Sequence, residues 1–462
     1  MKQFKIVVDP SERTLNVIEK GCDKARVRLK SDAIARIGSE IVFDKRIFDT
    51  YHYDGWKSVH HDLLVVCAAV EFADRKWARG NTHWARKFHV VVPVVELSVW
   101  RDESIGRQLC TTLRHLTGDE WRFSFVKWEG DVSEDDRQRP LFFDTQKEFA
   151  IAYSDGLDSR SVSGIFNKND VAVRVRVAKG NQKRRKNELP FDRIPFDVRV
   201  FPSQEDSARS RGFKFAAITA IAAHLSGLNK IIVPESGQGA LGPVLVPLYN
   251  IYADYRNHPT FFRRMERFIK ALLGHEITFD QPRLWRTKGQ TIIKFLEQPG
   301  IDMEQVLHTR SCWQQRHNVR LGGVRRQCGV CAACMLRRTS LHAANVSEEK
   351  ETYVISDLTA TSYSDALPRC NTFNPTKTLL DYGIMGARHM QQLADMAVLP
   401  SNKLRNNSLE LAESLGATEE ETLRNLRNLL ERHAEEWQRF LTDQGQESFL
   451  GIWTKGGRYD RS

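Results

Sequence analysis

The stretch Glu148-Phe149-Ala150-Ile151-Ala152-Tyr153-Ser154-Asp155-Gly156-Leu157-Asp158-Ser159 runs from an apolar segment through a polar turn into a segment of helical character. The five residues Phe149–Tyr153 followed by Ser-Asp-Gly predict a strand, a tight turn and a helix N-terminus. Such a turn presents backbone N–H groups and hydroxyls to an anion. Neither a Gly-Lys-Ser/Thr ending nor a GxGxxG pattern is present, so a Walker loop and a dinucleotide fingerprint are excluded at this position. What remains is a phosphate-binding turn of another kind, or a plain strand-to-helix turn with Ser159 as its cap.

Outward from this stretch the pattern alternates. Val171–Val177, Phe196–Phe201 and Lys230–Pro234 read as strands, and Gly212–Leu225 and Phe261–Leu273 as helices. That alternation predicts a parallel sheet with helices on both faces, which binds ligands at the carboxyl ends of its strands. Before it, Phe4–Val8, Asp62–Cys67, Phe88–Val95 and Trp121–Trp128 read as strands and Leu109–Leu116 as a helix, an α+β module over residues 1–145. Gly130–Pro140 reads as its polar linker. The α/β domain is expected at 146–345 and a helical extension at 346–462. In the extension, Thr418-Glu-Glu-Glu421 fits a capping box, and Leu423, Leu426, Leu430, Trp437 and Leu441 follow at helical spacing.

The chain has 462 residues, 41% of them hydrophobic, enough for a sizeable core and against a disordered chain. Its net charge of +11 favours anionic partners: nucleotides, an acidic protein or, less favoured here, nucleic acid. The basic run Lys183–Lys186 falls between two expected strands, where it is either solvated or within reach of a phosphate. No apolar run is long enough for a membrane span, and Met1–Lys5 lacks a signal-peptide core, so a cytoplasmic location is expected.

Of the eight cysteines, Cys22, Cys67, Cys110 and Cys370 are scattered and read as small buried hydrophobes. Cys312, Cys328, Cys331 and Cys334 are clustered in a C-x15-C-x2-C-x2-C pattern, with Gly329 permitting a tight knuckle. Four thiolates complete a tetrahedral zinc site with no open position, so a structural Zn²⁺ is expected, with an iron–sulfur cluster as the rival. Arg310, Arg316, Arg325, Arg326, Arg337 and Arg338 surround the cysteines and favour the thiolate form.

The turn Ser154–Ser159 resembles the PP-loop, Ser-Gly-Gly-x-Asp-Ser, of ATP pyrophosphatases, with Asp155 standing where the pattern has Gly. Together with the downstream knuckle it resembles the 7-cyano-7-deazaguanine synthase family of the queuosine pathway, over roughly 147–340. That resemblance implies an adenine nucleotide alpha hydrolase-like fold. It also implies an ATP-dependent C–N ligase that adenylates a 7-deazaguanine carboxylate and passes it to an amine. ATP, Mg²⁺ and Zn²⁺ are the implied cofactors. Ser154, Asp155, Gly156, Leu157, Asp158 and Ser159 would hold the pyrophosphate, with Asp158 holding or orienting Mg²⁺. Arg209 and Arg211 match the family's Arg-rich helix entry, where two guanidiniums grip phosphate or carboxylate. Lys288 matches its Pro…Thr-Lys segment and is either a phosphate or carboxylate contact or a solvated lysine. Asp158, Ser159 and Lys288 are the expected catalytic residues, and Glu235, Arg256 and His258 the expected substrate contacts. Asp155 either helps bind Mg²⁺, points away, or weakens ATP turnover.

The long N-terminal module and the C-terminal extension resemble the larger relatives in bacterial anti-phage defence operons, including the Qat and type IV CBASS systems. In such a relative the acceptor amine is either ammonia or the N-terminus of a partner protein from the same operon. The alternative is a catalytically weakened PP-loop scaffold that binds nucleic acid or a defence partner.

Overall fold

The computed structural model describes residues 12–19, 32–43, 56–79, 85–128, 146–178, 193–247, 252–314, 319–369, 373 and 375–455. In chain order its elements are β1 (Glu12–Glu19), β2 (Ala33–Ile37), β3 (Ile41–Phe43), α1 (Ser58–Lys76), β4 (Lys87–Val94), α2 (Leu97–Trp100), α3 (Glu103–Thr117), β5 (Glu120–Lys127), β6 (Phe149–Ala152) and α4 (Leu157–Phe166). Then come β7 (Ala172–Val175), β8 (Val177–Ala178), β9 (Ile194–Val198), α5 (Arg211–Leu225), β10 (Lys230–Ile232), α6 (Gly237–Leu245), α7 (Pro259–Leu273), β11 (Thr278–Asp280), α8 (Lys288–Leu296) and α9 (Met303–Leu307). The hairpin strands β12 (Arg320–Leu321) and β13 (Val324–Arg325) precede α10 (Ala332–Ala343), α11 (Lys377–Asp395), α12 (Ser401–Leu415), α13 (Glu419–Gln444) and α14 (Phe449–Thr454). The expected first strand at Phe4–Val8, the linker at Gly130–Pro140, the basic run Lys183–Lys186, Cys22, Cys370 and Arg316 lie outside the described residues.

The elements form two compact units. One comprises Met1–Tyr153, Asn169–Val233 and Asn250–Gln281; the other comprises Ser154–Lys168, Pro234–Tyr249 and Pro282–Ser462. The first unit holds both larger sheets. A four-stranded sheet runs β11-β10-β6-β7, parallel throughout, with Ala150 beside Val173 on one side and Ile231 on the other. A seven-stranded sheet runs β5-β4-β1-β2-β3-β9-β8 and is parallel except where β3 meets β9. Its strands β1, β2, β4 and β5 pair in parallel, with α1 between β3 and β4 and α3 between β4 and β5, so helices and strands are interleaved over that part of the expected α+β module.

One element differs outright from the sequence reading. Asp62–Cys67 lies in the middle of α1, not in a strand. Leu63 to Val70 are all buried, so the helix shows no polar face and its apolar run carries no period. Length decides the matter: nineteen residues rich in Ala are far too long for a strand. Asp62 is buried among them because its carboxylate accepts from Val95 N (2.8 Å), Glu96 N (2.9 Å) and Trp100 Nε1 (3.2 Å). Cys67, on the same helix, is a buried free thiol pushed up by burial, and Cys110 is a free thiol raised to about 11 by burial.

The second unit is helical. Leu157, Ile165, Ile292, Phe295 and Val306 pack α4, α8 and α9 together. Helix α13 carries a buried stripe of Leu426, Leu430, His433, Trp437 and Phe440, at alternating spacings of four and three residues. Thr418 caps it by accepting from Glu421 N at 3.2 Å. Among the described residues no helix is long and apolar enough to cross a membrane.

Candidate active site and metal centre

Three helices of the second unit begin at one point. Helix α4 starts after Gly156, α6 after Ser236 and α8 after Thr287. Asp158, in the first turn of α4, receives a hydrogen bond from Ser236 Oγ (3.2 Å) and an ion pair from Lys288 Nζ (2.6 Å). Ser236 therefore spends its hydroxyl on Asp158 instead of on its own helix. Each helix start contributes partial positive charge and unsatisfied N–H groups, which is why a carboxylate and a chain of hydroxyls sit well there.

Lys288 is buried, so the solvated-lysine reading does not hold. Burial works to lower its pKa, but the charges of Asp158 and Glu235 outweigh that and hold it above the ordinary value. Glu235 is pushed up to about 8, first by burial, then by the charge of Asp158 and a hydrogen bond with it. Glu235 also accepts from Ser236 N at 3.2 Å. Gly237 and Gly239 let other parts of the protein come close to the start of α6. A Cβ on the first would stand 2.2 Å from Leu284 O, and on the second 2.1 Å from Glu235 Oε1.

In the turn, Ser154 Oγ lies 2.9 Å from Ser159 Oγ and accepts from Gly156 N at 3.2 Å. Ser159 and Leu157 are buried, whereas Ser154 and Asp155 are exposed. Asp155 is fixed through its backbone, its carbonyl accepting from Arg310 N at 3.2 Å.

Four other expected contacts fall in the first unit. Arg256 clamps Asp254 with Nε 2.9 Å from both carboxylate oxygens, and Arg209 Nη1 stands 3.7 Å from Asp254 Oδ1. Burial works to raise the Asp254 carboxyl, but Arg256 overrides it and holds it below its ordinary value. Burial lowers Arg209 and Arg211, and the charge of Arg256 adds to that in both. Ser210, between them, donates its N–H to Asp74 Oδ2 at 2.8 Å, and Arg86 pairs with the same carboxylate. His258 is the N-cap of α7, buried, with Nδ1 2.7 Å from Thr260 Oγ1. Burial, then neighbouring His115, lowers it to about 3, so it is a neutral capping imidazole.

The structure thus groups Ser154–Ser159, Glu235 and Lys288 in one unit, and Arg209, Arg211, Arg256 and His258 in the other. Sequence reasoning gave no individual role to Ser236, Gln238, Thr287, His433 or Glu436. Thr287-x-x-Gln290 was readable as a capping box, and both halves of it form. His433 was visible only as a polar residue inside the apolar stripe of α13.

The four clustered cysteines converge. Their Sγ atoms all lie within 4.8 Å of one another, and Cys328 and Cys334 are 3.7 Å apart. A tetrahedron with Zn–S bonds of about 2.3 Å has edges of roughly 3.8 Å. Backbone N–H groups of Cys328 and Gln314 point at Cys312 Sγ (3.2 and 3.4 Å), and that of Cys331 at Cys328 Sγ (3.3 Å). Hydrogen bonds from the other three thiols hold Cys312 far below the ordinary thiol value, while burial, first, drives Cys334 well above it. A cation at the centre removes this competition for protons, so the donor set fits a single soft or borderline ion such as zinc. Two of the nearby arginines spend their donors on other groups. Arg337 bonds Thr309 Oγ1 (2.6 Å) and Glu348, and Arg338 donates to Ile355 O and Ser356 O.

Gly329 makes the knuckle possible. Its φ is +93°, and a Cβ there would stand 2.1 Å from Ile355 O. Gly329→Ala is therefore expected to destabilise the second unit by about 2–4 kcal/mol, combining backbone strain and displacement of Ile355. A fall in its melting temperature, with sub-stoichiometric metal on purification, checks this.

A family model described as "Queuosine biosynthesis protein QueC" matches residues 245–345. That is under a quarter of the chain; it spans Lys288 and all four clustered cysteines but not the turn at Ser154–Ser159. No curated protein and no solved structure matches the chain significantly. The match supports a QueC-like PP-loop family, and suggests an ATP-using enzyme with pyrophosphatase-type chemistry on a 7-deazaguanine-like substrate.

Proposed function

We propose that the protein is an ATP-dependent ligase that adenylates a 7-deazaguanine carboxylate and delivers the acyl group to an amine. The observation that carries this reading is the meeting of three helix starts at Asp158, with Lys288 ion-paired to it at 2.6 Å. A carboxylate is a poor electrophile. Its oxygen attacks the α-phosphorus of ATP, the bond from that phosphorus to the bridging oxygen of the β-phosphate breaks, and pyrophosphate leaves. An amine then attacks the acyl carbon, loses a proton, and AMP departs. The charge that builds on pyrophosphate is what the N–H groups of the turn, the hydroxyls of Ser154 and Ser159, and Lys288 would stabilise. Mg²⁺ would come in with the nucleotide, with Asp155 and Asp158 as carboxylates on hand.

Arg209, Arg211 and Arg256 lie near one another around Asp254, and guanidiniums are the groups that would grip a phosphate or carboxylate. The zinc would be structural, because four sulfurs leave no open position. The extent of the chain beyond a PP-loop domain supports a defence-type relative, whose amine is ammonia or the N-terminus of a partner protein.

Incubation with ATP, Mg²⁺ and 7-carboxy-7-deazaguanine, with ammonium or a candidate partner added, is expected to release AMP and pyrophosphate in equal amounts. Release of ADP, or of nothing in every arm, rejects the ligase and leaves the exposed Asp155 as the mark of a scaffold.

A further inference from the structure

We infer that helix α13 is a working part of the Lys288 site, with His433 and Glu436 as positioning residues that fix the first turn of α8 and thereby keep Lys288 on Asp158. The inference rests on the ligase reading for its catalytic consequence, but not for its geometry.

Two polar side chains of α13 reach the start of α8, Glu436 at Thr287 and His433 by way of Gln238. Glu436 Oε1 accepts from Thr287 Oγ1 at 2.5 Å. The Thr287 hydroxyl in turn accepts from Gln290 N at 3.0 Å, so its proton and a lone pair are both committed. His433 works through Gln238. Lys288 N donates to Gln238 Oε1 at 2.7 Å, and Gln238 Nε2 lies 3.0 Å from His433 Nδ1. His433 Nε2 faces Met390 O at 2.9 Å, which places the ring proton on Nε2 and leaves Nδ1 as the acceptor for Gln238. Burial lowers His433 to about 4 and raises Glu436 to about 7, against hydrogen bonds from Thr287 and Gln238, so the imidazole serves as a neutral link.

The energetics favour function over packing. His433 occupies the apolar stripe of α13, fully buried, where a leucine would cost nothing in desolvation. A buried polar side chain costs about 1–3 kcal/mol if its bonds fail. Here both chains of bonds end on the N–H and hydroxyl groups that start α8, groups a helix start otherwise leaves to solvent. Lys288 is the first residue of that helix, so its side-chain direction follows from how the turn is held. Both struts come from residues beyond the 245–345 family match, which makes the C-terminal helices part of the catalytic device.

The test uses the full chain, loaded with zinc. Competitive acetylation with acetic anhydride, read by mass spectrometry, gives the reactivity of the Lys288 amine without any turnover. Glu436→Leu and His433→Leu are each expected to raise that reactivity about tenfold and to lower kcat for AMP formation about 10²-fold, with a smaller change in KM for ATP. Glu436→Gln, which keeps an acceptor oxygen for Thr287, is expected to restore most of both. Should a leucine variant lose zinc or fail to fold, Thr287→Val and Gln238→Met cut the same two links and are read instead. Parent-like acetylation and parent-like kcat in the folded variants overturn the inference. A parent protein that makes no AMP rejects the ligase reading alone, and the acetylation rates then decide the struts by themselves.

Discussion

Asp158→Ala is expected to lower AMP formation by about 10³-fold or more while leaving the metal bound and the chain folded. The loss of about 4 kcal/mol in transition-state stabilisation follows from the geometry. Asp158, in the first turn of α4, touches both the residue before α6, through Ser236, and the start of α8, through Lys288. Without it the ammonium loses its ion-pair partner at the start of α4. Removing one partner of a buried ion pair ordinarily costs about 3–5 kcal/mol in stability. Here the loss is expected to be smaller, because the Glu235 carboxyl is pushed up partly by the charge of Asp158. Once that charge is gone the Glu235 acid ionises more readily and can take over the ammonium. The variant should therefore melt only a few degrees below the parent yet be nearly inactive. Full AMP formation in Asp158→Ala, or an inactive parent indistinguishable from the variant, would show that the turn no longer does chemistry.

How much of this was legible in the sequence depends on the range of the interaction. The turn at Ser154–Ser159 and the strands around it are local: an apolar run, a Gly-containing turn, a helix start. The knuckle was legible because four cysteines at short spacings have few other uses, and the structure brings their sulfurs together. Lys288 was legible as a motif position but not as a buried group, since its burial depends on Asp158, 130 positions earlier in the chain, as its ion-pair partner. Asp62–Cys67 misled because a helix buried on all sides shows no amphipathic period. The partnership of His433 and Glu436 with Gln238 and Thr287 was out of reach for a different reason. Nothing in α13 itself distinguishes a histidine that ends on a distant amide from one that merely faces water. Only the pairing of α13 with α6 and α8 in space gives those side chains a role.

Removing the metal is expected to be the most damaging single change to the second unit. Structural zinc in small knuckles contributes apparent binding free energies of about 10–16 kcal/mol, comparable to or above the whole stability of an ordinary domain of about 5–15 kcal/mol. Three of the four clustered sulfurs sit inside an apolar cluster, and Cys312 packs against its edge. Cys328, Cys331 and Cys334 are buried with Val330, Met335, Ile355, Trp437, Phe449 and Trp453, so the metal and the packing of α11, α13 and α14 stand or fall together. Cys331→Ser, or treatment with a strong chelator, should therefore shift tryptophan emission to the red as Trp437 and Trp453 meet water, and lower the melting temperature of this unit by more than any substitution at the Asp158 cluster. Activity should vanish with it. Thr309, which Arg337 of α10 grips, precedes Arg310, and the Arg310 N–H holds the Asp155 carbonyl of the turn. Elemental analysis of the parent is expected to give one zinc per chain. Iron in its place would keep the structural argument and change the metal, since four sulfurs within 4.8 Å suit one ion of either kind. A chelated protein that kept its fluorescence and its melting temperature would remove the metal from the account of this fold altogether.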